Sequence, residues 1–153
     1  MRLNALETVM CVAFEEARRA AAVGEVPVGA VVIDSEQGTI VARAHNLVRT
    51  NSDPTAHAEI VALREAAQKR ESPRLVDCDL IVTLEPCVMC AQAIALARIR
   101  RLVFAAYDPK GGGVEHGLRV FEHPKCNHRP EVVGGVFETA ASKLLKSFFE
   151  NRR

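Results

Sequence analysis

The stretch Thr83-Leu84-Glu85-Pro86-Cys87-Val88-Met89-Cys90 organises this chain of 153 residues. An apolar run over residues 80–83 leads into it and predicts a buried strand, and the proline that follows predicts a helix starting near the first cysteine. Two cysteines three positions apart then lie on the first turn of that helix, where free backbone N–H groups and the helix dipole favour thiolates. The stretch therefore predicts two ligands of a metal site.

A second predicted helix start, Asp53-Pro54-Thr55-Ala56-His57-Ala58-Glu59, supplies a histidine and a carboxylate. His57, Cys87 and Cys90 together give three zinc ligands, and catalytic zinc sites use three protein ligands and keep one position for water. Glu59 lies two residues from His57, too far around a regular helix for both to bind one metal easily. Its longer side chain can reach the water, take its proton and pass it to a leaving nitrogen. The arrangement predicts hydrolytic deamination.

Two other interpretations of these residues compete with catalysis. A lone Cys-x-x-Cys is a weak signal, because redox pairs and chance pairs share it. A structural zinc site would need a fourth ligand, for which the candidates are His45, His116, His123, His128 and Cys126. The combination is more specific, since His-x-Glu followed by Pro-Cys-x-x-Cys is typical of zinc-dependent nucleobase deaminases. It favours a catalytic site.

The remaining pattern predicts one mixed sheet with helices on both of its faces. The predicted helices cover residues 4–22, 56–69, 87–97 and 138–151, and the predicted strands cover residues 28–33, 39–42, 80–83, 102–105 and 132–133. Strands joined through helices should be parallel, and the first hairpin antiparallel. We therefore predict a three-layer α/β/α fold with about five strands. We expect one zinc-dependent deaminase domain over residues 1–153.

Composition narrows the class of protein. Hydrophobic residues make up 48% of the chain and charged residues 25%, as in an average soluble protein. No apolar run approaches the roughly 20 residues that cross a bilayer. No secretory signal is evident, so we expect a cytoplasmic protein. The five cysteines are an odd number, which argues against a disulfide framework.

Seven pieces of the chain match one family pattern: residues 25–30, 53–60, 83–90, 98–99, 108–110, 127–129 and 148–149. On these pieces the chain resembles the cytidine/deoxycytidylate deaminase superfamily, and within it the bacterial tRNA-specific adenosine deaminases. Two of the pieces are the most specific to these adenosine deaminases: Val-Pro-Val-Gly-Ala and Thr-Leu-Glu-Pro-Cys-Val-Met-Cys. The resemblance implies a cytidine-deaminase-like fold and one zinc ion per subunit. It also implies hydrolytic deamination of the tRNA wobble adenosine (adenosine 34) to inosine, with release of ammonia.

The resemblance implies a role for individual residues. Zinc would be bound by His57, Cys87 and Cys90, and Glu59 would be the catalytic proton shuttle. The implied substrate-binding residues are Val26, Pro27, Asn46, Ala58, Leu84, Asp108, Lys110 and Phe149. Asn46 would hold the flipped nucleoside. Val26, Pro27 and Leu84 would wall the base pocket. Asp108, Lys110 and Phe149 would contact RNA outside it, although Phe149 also fits an apolar helical stripe of the kind that forms a core.

The implied partners are the tRNA anticodon arm and a second copy of the chain, with no membrane and no DNA. The apolar helix after Cys87 is predicted to be packed on most sides and would suit a dimer interface. Residues 1–97 hold 9 Lys+Arg and 13 Asp+Glu, whereas residues 98–153 hold 11 and 6. This basic C-terminal third is a weak indication of a polyanionic partner.

Two alternatives and two departures from the family pattern remain open. The superfamily shares the metal site, so a deaminase of a free base or nucleoside (guanine, cytosine or cytidine) is the alternative enzyme. A zinc-stabilised RNA-binding module is the alternative without catalysis. Ala105 stands where the family often has glycine, and the segment Gly111–His116 is richer in glycine than the commoner loop.

Overall fold

Five strands form the central sheet of the protein, whose structure is a computed structural model describing residues 3–152. The strands are β1 (Gly29–Asp34), β2 (Ile40–His45), β3 (Cys78–Leu84), β4 (Arg101–Ala106) and β5 (Glu131–Val133). They lie in the order β2-β1-β3-β4-β5. β1 is antiparallel to both β2 and β3, while β4 is parallel to β3 and β5. The sheet is therefore mixed, with β1 alone running against the others, and the strands joined through helices share one direction.

Helices cover both faces of this sheet. They are α1 (Leu3–Ala22), α2 (Ala58–Arg70), α3 (Val88–Leu96) and α4 (Glu138–Glu150), with a short 3₁₀ helix at Val120–Glu122. Successive strand residues point to opposite faces, so Ala30 and Val32 pack with α2 and α3, whereas Val31 and Ile33 pack with α1 and α4. The predicted three-layer α/β/α fold with five strands is confirmed.

The register of the strands brings four chain segments to one edge of the sheet. Gly29 at the start of β1 pairs with His45 at the end of β2, and Leu84 at the end of β3 pairs with Ala106 at the end of β4. Because β1 is reversed, the segment before it meets the segments after β2, β3 and β4. Ligands of open α/β sheets gather at such an edge, and all of the predicted site residues except Phe149, which lies on α4, come from these four segments or from the strand ends beside them.

Helix α3 departs from its prediction. Its buried side chains are Cys90, Ala91, Ile94 and Ala95. Leu96, however, is 65% exposed and Val88 is 38% exposed, so the helix is not packed on most sides. The apolar sequence predicted burial, because composition does not distinguish a face covered by its own chain from one left open.

No helix within residues 3–152 has both the length and the apolar character needed to cross a membrane.

Gly29 allows α1 to lie directly on β1. A Cβ added at Gly29 would overlap the carbonyl oxygen of Ala13 and would lie 2.7 Å from the backbone nitrogen of Ala17. Both neighbours are backbone atoms of a helix, so neither can turn aside as a flexible side chain could. The glycine of the Val-Pro-Val-Gly-Ala piece is thus required by the close approach of two main chains.

We predict that Gly29→Ala lowers the free energy of unfolding by about 3 kcal/mol, because overpacking here meets rigid backbone. Urea denaturation followed by circular dichroism measures the change. Gly38→Ala is the control. Gly38 has a φ of 72° but nothing within 4 Å of an added Cβ, so only the left-handed backbone should cost energy, about 1 kcal/mol. Equal losses in the two variants would contradict the packing argument.

Candidate active site

Three metal-ligand side chains meet where α2 and α3 begin. His57 Nδ1 lies 3.6 Å from Cys87 Sγ and 3.5 Å from Cys90 Sγ. Zinc holds sulfur at about 2.3 Å and nitrogen at about 2.0–2.1 Å, so two such donors on a tetrahedral ion lie about 3.6 Å apart. The donor types and their spacing both fit zinc. Within the described residues, this is the one group of three or more His, Cys, Asp or Glu donors close enough to share an ion.

The helix starts explain this convergence. His57 and Cys87 are each the residue before the first helical turn, with extended backbone (ψ of 151° and 175°). Both helices therefore begin slightly later than predicted, at Ala58 and Val88. Each donor leaves the chain just before the helix and points across the gap between the two N-termini. The free N–H groups at these ends favour negative charge on the thiolates.

The candidates for a fourth protein ligand are all engaged elsewhere. His116 Nδ1 contacts Glu85, and His128 Nε2 lies 2.6 Å from the carbonyl oxygen of Ile99. Cys126 Sγ donates to the carbonyl of His128. The nitrogens Nδ1 of His45 and His123 contact the backbone of neighbouring residues. The three-donor site thus keeps the open position that a catalytic zinc requires.

The pKa values of the two cysteines are shifted in opposite directions. A hydrogen bond from Cys90, assisted by His57, lowers the pKa of Cys87 to about 4 although partial burial opposes this. The same hydrogen bond and deep burial hold the pKa of Cys90 far above its usual range. Cys87 is therefore the thiolate and Cys90 the donor to it. A divalent cation that displaces this proton gains two thiolate ligands.

Glu59 faces the same space from the first turn of α2. Its side chain is buried, with 4% of its surface exposed. Burial raises the pKa of Glu59 to about 7, so the protonated and ionised forms are both accessible near neutral pH. A carboxyl group in this condition can accept a proton and later release it, as acid–base catalysis requires.

A cavity of about 420 Å³ opens over these groups, a volume in the range of small-molecule sites. Its lining residues are Glu25, Val26, Val28, Asn46, Val48, Arg49, His57, Glu59, Leu84, Glu85, Cys87, Asp108 and Gly111. Four predicted substrate-binding residues are among them: Val26, Asn46, Leu84 and Asp108.

The other four predicted substrate-binding residues do not line the cavity. Pro27 is buried between the lining residues Val26 and Val28. Ala58 is buried and contributes its backbone N–H to the position of Asn46. Lys110 is exposed on the loop after Asp108. Phe149 lies on α4, is 51% exposed and packs edge-on against Phe148, so it belongs to a surface and not to the core.

Asn46 presents a hydrogen-bond donor to the cavity. Its Oδ1 accepts the backbone N–H of Ala58 at 2.8 Å, one of the N–H groups that the start of α2 leaves without a helical partner. This bond fixes which end of the amide is oxygen. The nitrogen Nδ2 of Asn46 has no hydrogen-bond partner in residues 3–152, which leaves it free to bind an acceptor on a ligand.

Two buried carboxylates at this site had no role assigned from the sequence. Glu25 accepts the backbone N–H groups of Arg49 and Thr50 and the hydroxyl of Thr50. These bonds hold the pKa of Glu25 below its usual value, although burial by itself opposes ionisation. Glu85 lies within the stretch that organises the chain and accepts hydrogen bonds from a loop. For both glutamates, the available signal in the sequence was a charged residue inside an otherwise apolar stretch.

Comparisons with known proteins agree with this geometry. Residues 3–106 match the model of the cytidine and deoxycytidylate deaminase zinc-binding region. A tRNA-specific adenosine deaminase of Agrobacterium fabrum is 48% identical over 144 residues, which are 94% of this chain and 93% of that protein. A structure from a study of A-to-I editing by tRNA:A34 deaminases at the wobble position of transfer RNA superposes with a TM-score of 0.86. It is 48% identical, and the match covers 88% of this chain and 96% of that one.

A more distant solved structure belongs to a guanine deaminase from Nitrosomonas europaea. It is 28% identical with a TM-score of 0.76, and the match covers 93% of this chain and 83% of that chain. The same architecture therefore occurs in an enzyme named for a free base. The fold and metal site do not by themselves separate RNA from free-base substrates.

We predict that Cys87→Ser purifies with about a tenth or less of the zinc found in the unmodified chain, because the hydroxyl of serine does not ionise to replace a thiolate ligand. Metal analysis by mass spectrometry gives the zinc-to-protein ratio. Cys11→Ser is the matched control, since Cys11 is exposed on α1 and should leave that ratio near one. Full zinc content in Cys87→Ser would remove Cys87 from the ligand set.

Proposed function

The chain belongs to the cytidine and deoxycytidylate deaminase family of zinc-dependent hydrolases, and we propose that it converts the wobble adenosine of tRNA (adenosine 34) to inosine with release of ammonia. The observation that carries this proposal is a cavity that opens over a group of three zinc donors and is lined by a buried carboxyl group and a free amide donor. It occurs in a chain that matches a tRNA-specific adenosine deaminase over 94% of its length.

The proposed reaction divides its tasks among the residues of the cavity. His57, Cys87 and Cys90 would hold zinc, which would supply a water that is nucleophilic at neutral pH. The Glu59 carboxylate takes a proton from the attacking water and returns it to the amino nitrogen that leaves as ammonia. Nδ2 of Asn46 donates a hydrogen bond to the bound nucleoside and fixes its orientation. The apolar side chains of the cavity, Val26 and Leu84 among them, pack on the base and exclude bulk water.

Two arginines support an RNA substrate over a free base. Arg49 lines the cavity and donates from Nη1 to the carbonyl of Gly24 at 3.4 Å. Arg152 reaches the same turn from the end of α4, because a Cβ added at Gly24 would lie 3.3 Å from Arg152 Nη2. Neither guanidinium forms an ion pair with a carboxylate in the described part of the chain.

This turn is continuous with the wall of the cavity. Gly24 directly precedes Glu25 and Val26, which line it. Arg152 also stacks over the ring of Phe148, 4.3 Å from its centroid, so its guanidinium is held in place. Two unpaired guanidinium groups beside the cavity offer the planar donors that bind phosphate. A nucleotide within RNA carries such phosphates and a free base does not.

The partner surface of a homodimer is proposed at the outer side of α2 and α3. A shallow apolar groove there is lined by Ile60, Leu63, Arg64, Ala67, Pro73, Leu75, Ala93, Leu96 and Ala97. Leu96 at its edge is 65% exposed, and a second copy of the chain would cover it. Both helices carry site residues at their N-termini, so the dimer would support the site from behind.

As an enzyme acting on tRNA, the protein would work in the cytoplasm.

The test of the proposed function is a substrate panel. The zinc-loaded chain is incubated with an anticodon stem-loop carrying adenosine at the wobble position and, separately, with free guanine, cytosine and cytidine. We predict inosine in the RNA and no turnover of the free compounds, because only RNA engages both the cavity and the arginines. Chromatography of the digested RNA detects inosine. Turnover of a free base alone would replace the proposal with the alternative deaminase.

The variant Glu59→Ala belongs in the same panel, because it separates catalysis from zinc-supported RNA binding. It should retain zinc and the fold, and its rate on the stem-loop should fall by about 10²–10⁴-fold through loss of the proton shuttle. Retention of activity would show that Glu59 is not the shuttle. An unmodified chain that binds the stem-loop and produces no inosine would favour a binding module.

A separate prediction concerns the two arginines at the Gly24 turn. Arg49→Ala and Arg152→Ala should each weaken stem-loop binding and reduce the slope of log K against log salt by about 1. Fluorescence anisotropy at several salt concentrations measures both quantities. Arg74→Ala is the control, because Arg74 is exposed before β3, at the opposite end of that strand from the site. A salt slope unchanged in both variants would exclude phosphate contacts at this turn.

A further inference from the structure

One buried side chain holds the loop that forms a wall of the cavity. This loop, residues 107–117, follows β4 and is called the rim loop here. Glu85, 2% exposed, lies beneath it. Its Oε1 accepts the backbone N–H of Asp108 at 3.0 Å and contacts His116 Nδ1 at 2.8 Å. Its Oε2 accepts the backbone N–H groups of Val114, Glu115 and His116 at 3.2, 2.9 and 3.1 Å.

The glycines of the rim loop permit these contacts. A Cβ added at Gly112 would overlap Glu85 Oε2 and lie 2.6 Å from the carbonyl oxygen of Asp108. One added at Gly113 would lie 2.6 Å from the backbone nitrogen of Val88, at the start of α3. The main chain of the loop therefore rests directly on Glu85 and on the helix that begins after Cys87. This accounts for the glycine-rich run that departs from the commoner family loop.

The anchored loop sets the position of Asp108 at the cavity. Asp108 Oδ1 accepts the backbone N–H groups of Lys110 and Gly111 at 3.2 and 2.9 Å, so its side chain caps a tight turn. The turn begins at the residue whose own N–H is held by Glu85. Asp108 and Lys110, two of the three residues for which the family resemblance implies contact with RNA beyond the base, thus depend on one carboxylate for their placement.

Glu85 is suited to positioning and not to chemistry. Its two oxygens already have five contacts with the rim loop, so little acceptor capacity remains for a substrate. A buried carboxylate with several N–H donors is a rigid anchor, because each donor would lose its only partner if the loop moved. The metal donors and Glu59 lie outside the rim loop, and their side chains form no hydrogen bond with it; the loop reaches the metal-binding segment through the backbone N–H of Gly113, which donates to the carbonyl of Pro86 at 2.8 Å.

We propose that Glu85 is a positioning residue for substrate binding, which holds the rim loop so that Asp108 and Lys110 meet the RNA beside the reacting nucleoside. The proposal rests on the proposed function of this site. Because Glu85 is two residues from Cys87, it ties the substrate wall to the segment that carries the metal donors. Loss of the anchor should weaken the binding of RNA far more than it slows the reaction of RNA once bound.

Two variants test the anchor from opposite sides. Glu85→Gln keeps the shape but places an amide nitrogen against N–H donors, and Gly112→Ala pushes the loop away from an intact Glu85. Both should retain zinc near one per chain, raise KM for the stem-loop about tenfold or more, and change kcat by about threefold or less. Steady-state kinetics on the stem-loop, with metal analysis of the same samples, gives all three values.

Asp79→Asn is the matched control. Asp79 is a fully buried carboxylate at the other end of β3, paired with Arg100 at 2.6 and 2.9 Å. Its loss should lower the melting temperature without raising KM, so a general effect of weakening β3 is separated from loss of the anchor. A rise in KM equal to that of Glu85→Gln would overturn the proposal. An unchanged KM in both anchor variants would also overturn the proposal, as would a fall in kcat that accompanies loss of zinc.

Failure of the proposed function would give a different experimental result from failure of the anchor. If the unmodified chain makes no inosine, the kinetic comparison ends there, and amide hydrogen exchange still reports on the anchor. Exchange over residues 108–116 should become about tenfold faster or more in Glu85→Gln, while residues 46–57, held by Glu25, stay unchanged. Unchanged exchange over residues 108–116 would show that Glu85 does not hold the loop.

Discussion

The meeting of two helix N-termini is the constraint on which the rest of the site depends. His57 Nδ1 lies 3.5 and 3.6 Å from the two cysteine sulfurs because α2 and α3 both begin at the same edge of the sheet. That edge collects the ends of β2, β3 and β4 only because β1 is reversed between β2 and β3. The start of α2 also supplies the backbone N–H that Asn46 accepts, and it places Glu59 on the inner side of the first helical turn. Moving either helix by one turn would separate His57 from the two cysteines.

Three buried glutamates at this edge differ in their hydrogen bonding, and the difference separates their roles. Glu25 and Glu85 each accept several backbone N–H groups, so their pKa values lie below the usual range in spite of burial. They remain ionised and fasten the two loops on either side of the cavity. Glu59 has no comparable set of donors, and burial raises its pKa to about 7. The first two act as fixed charges that hold structure, and the third is free to exchange a proton.

The parts of this protein that its sequence predicts are those encoded by nearby residues. Apolar periodicity located the helices and strands, and the spacing of His57, Cys87 and Cys90 placed three metal donors at two helix starts, where the structure brings them together. Glu85 contacts residues 23 to 31 positions away, in a loop without periodicity, so no local pattern reveals its partners. Exposure was equally hidden: an apolar stripe is the same in sequence whether its outer face is covered or, as at Leu96 and Phe149, open.

In the proposed function, different charged groups recognise the base and the RNA backbone. The cavity is lined by four carboxylates, Glu25, Glu59, Glu85 and Asp108, and by one arginine, Arg49, at the Gly24 turn. Such a lining disfavours a phosphate inside the cavity, whereas Arg49 and Arg152 offer it a place at the edge, at the Gly24 turn. The rim loop faces the cavity from the side of Asp108, held by Glu85. A nucleoside flipped from RNA would thus enter between one wall that attracts its backbone and another whose position is fixed by a buried carboxylate. A free base carries no phosphate for the first wall to bind, and this asymmetry supports the proposed RNA substrate.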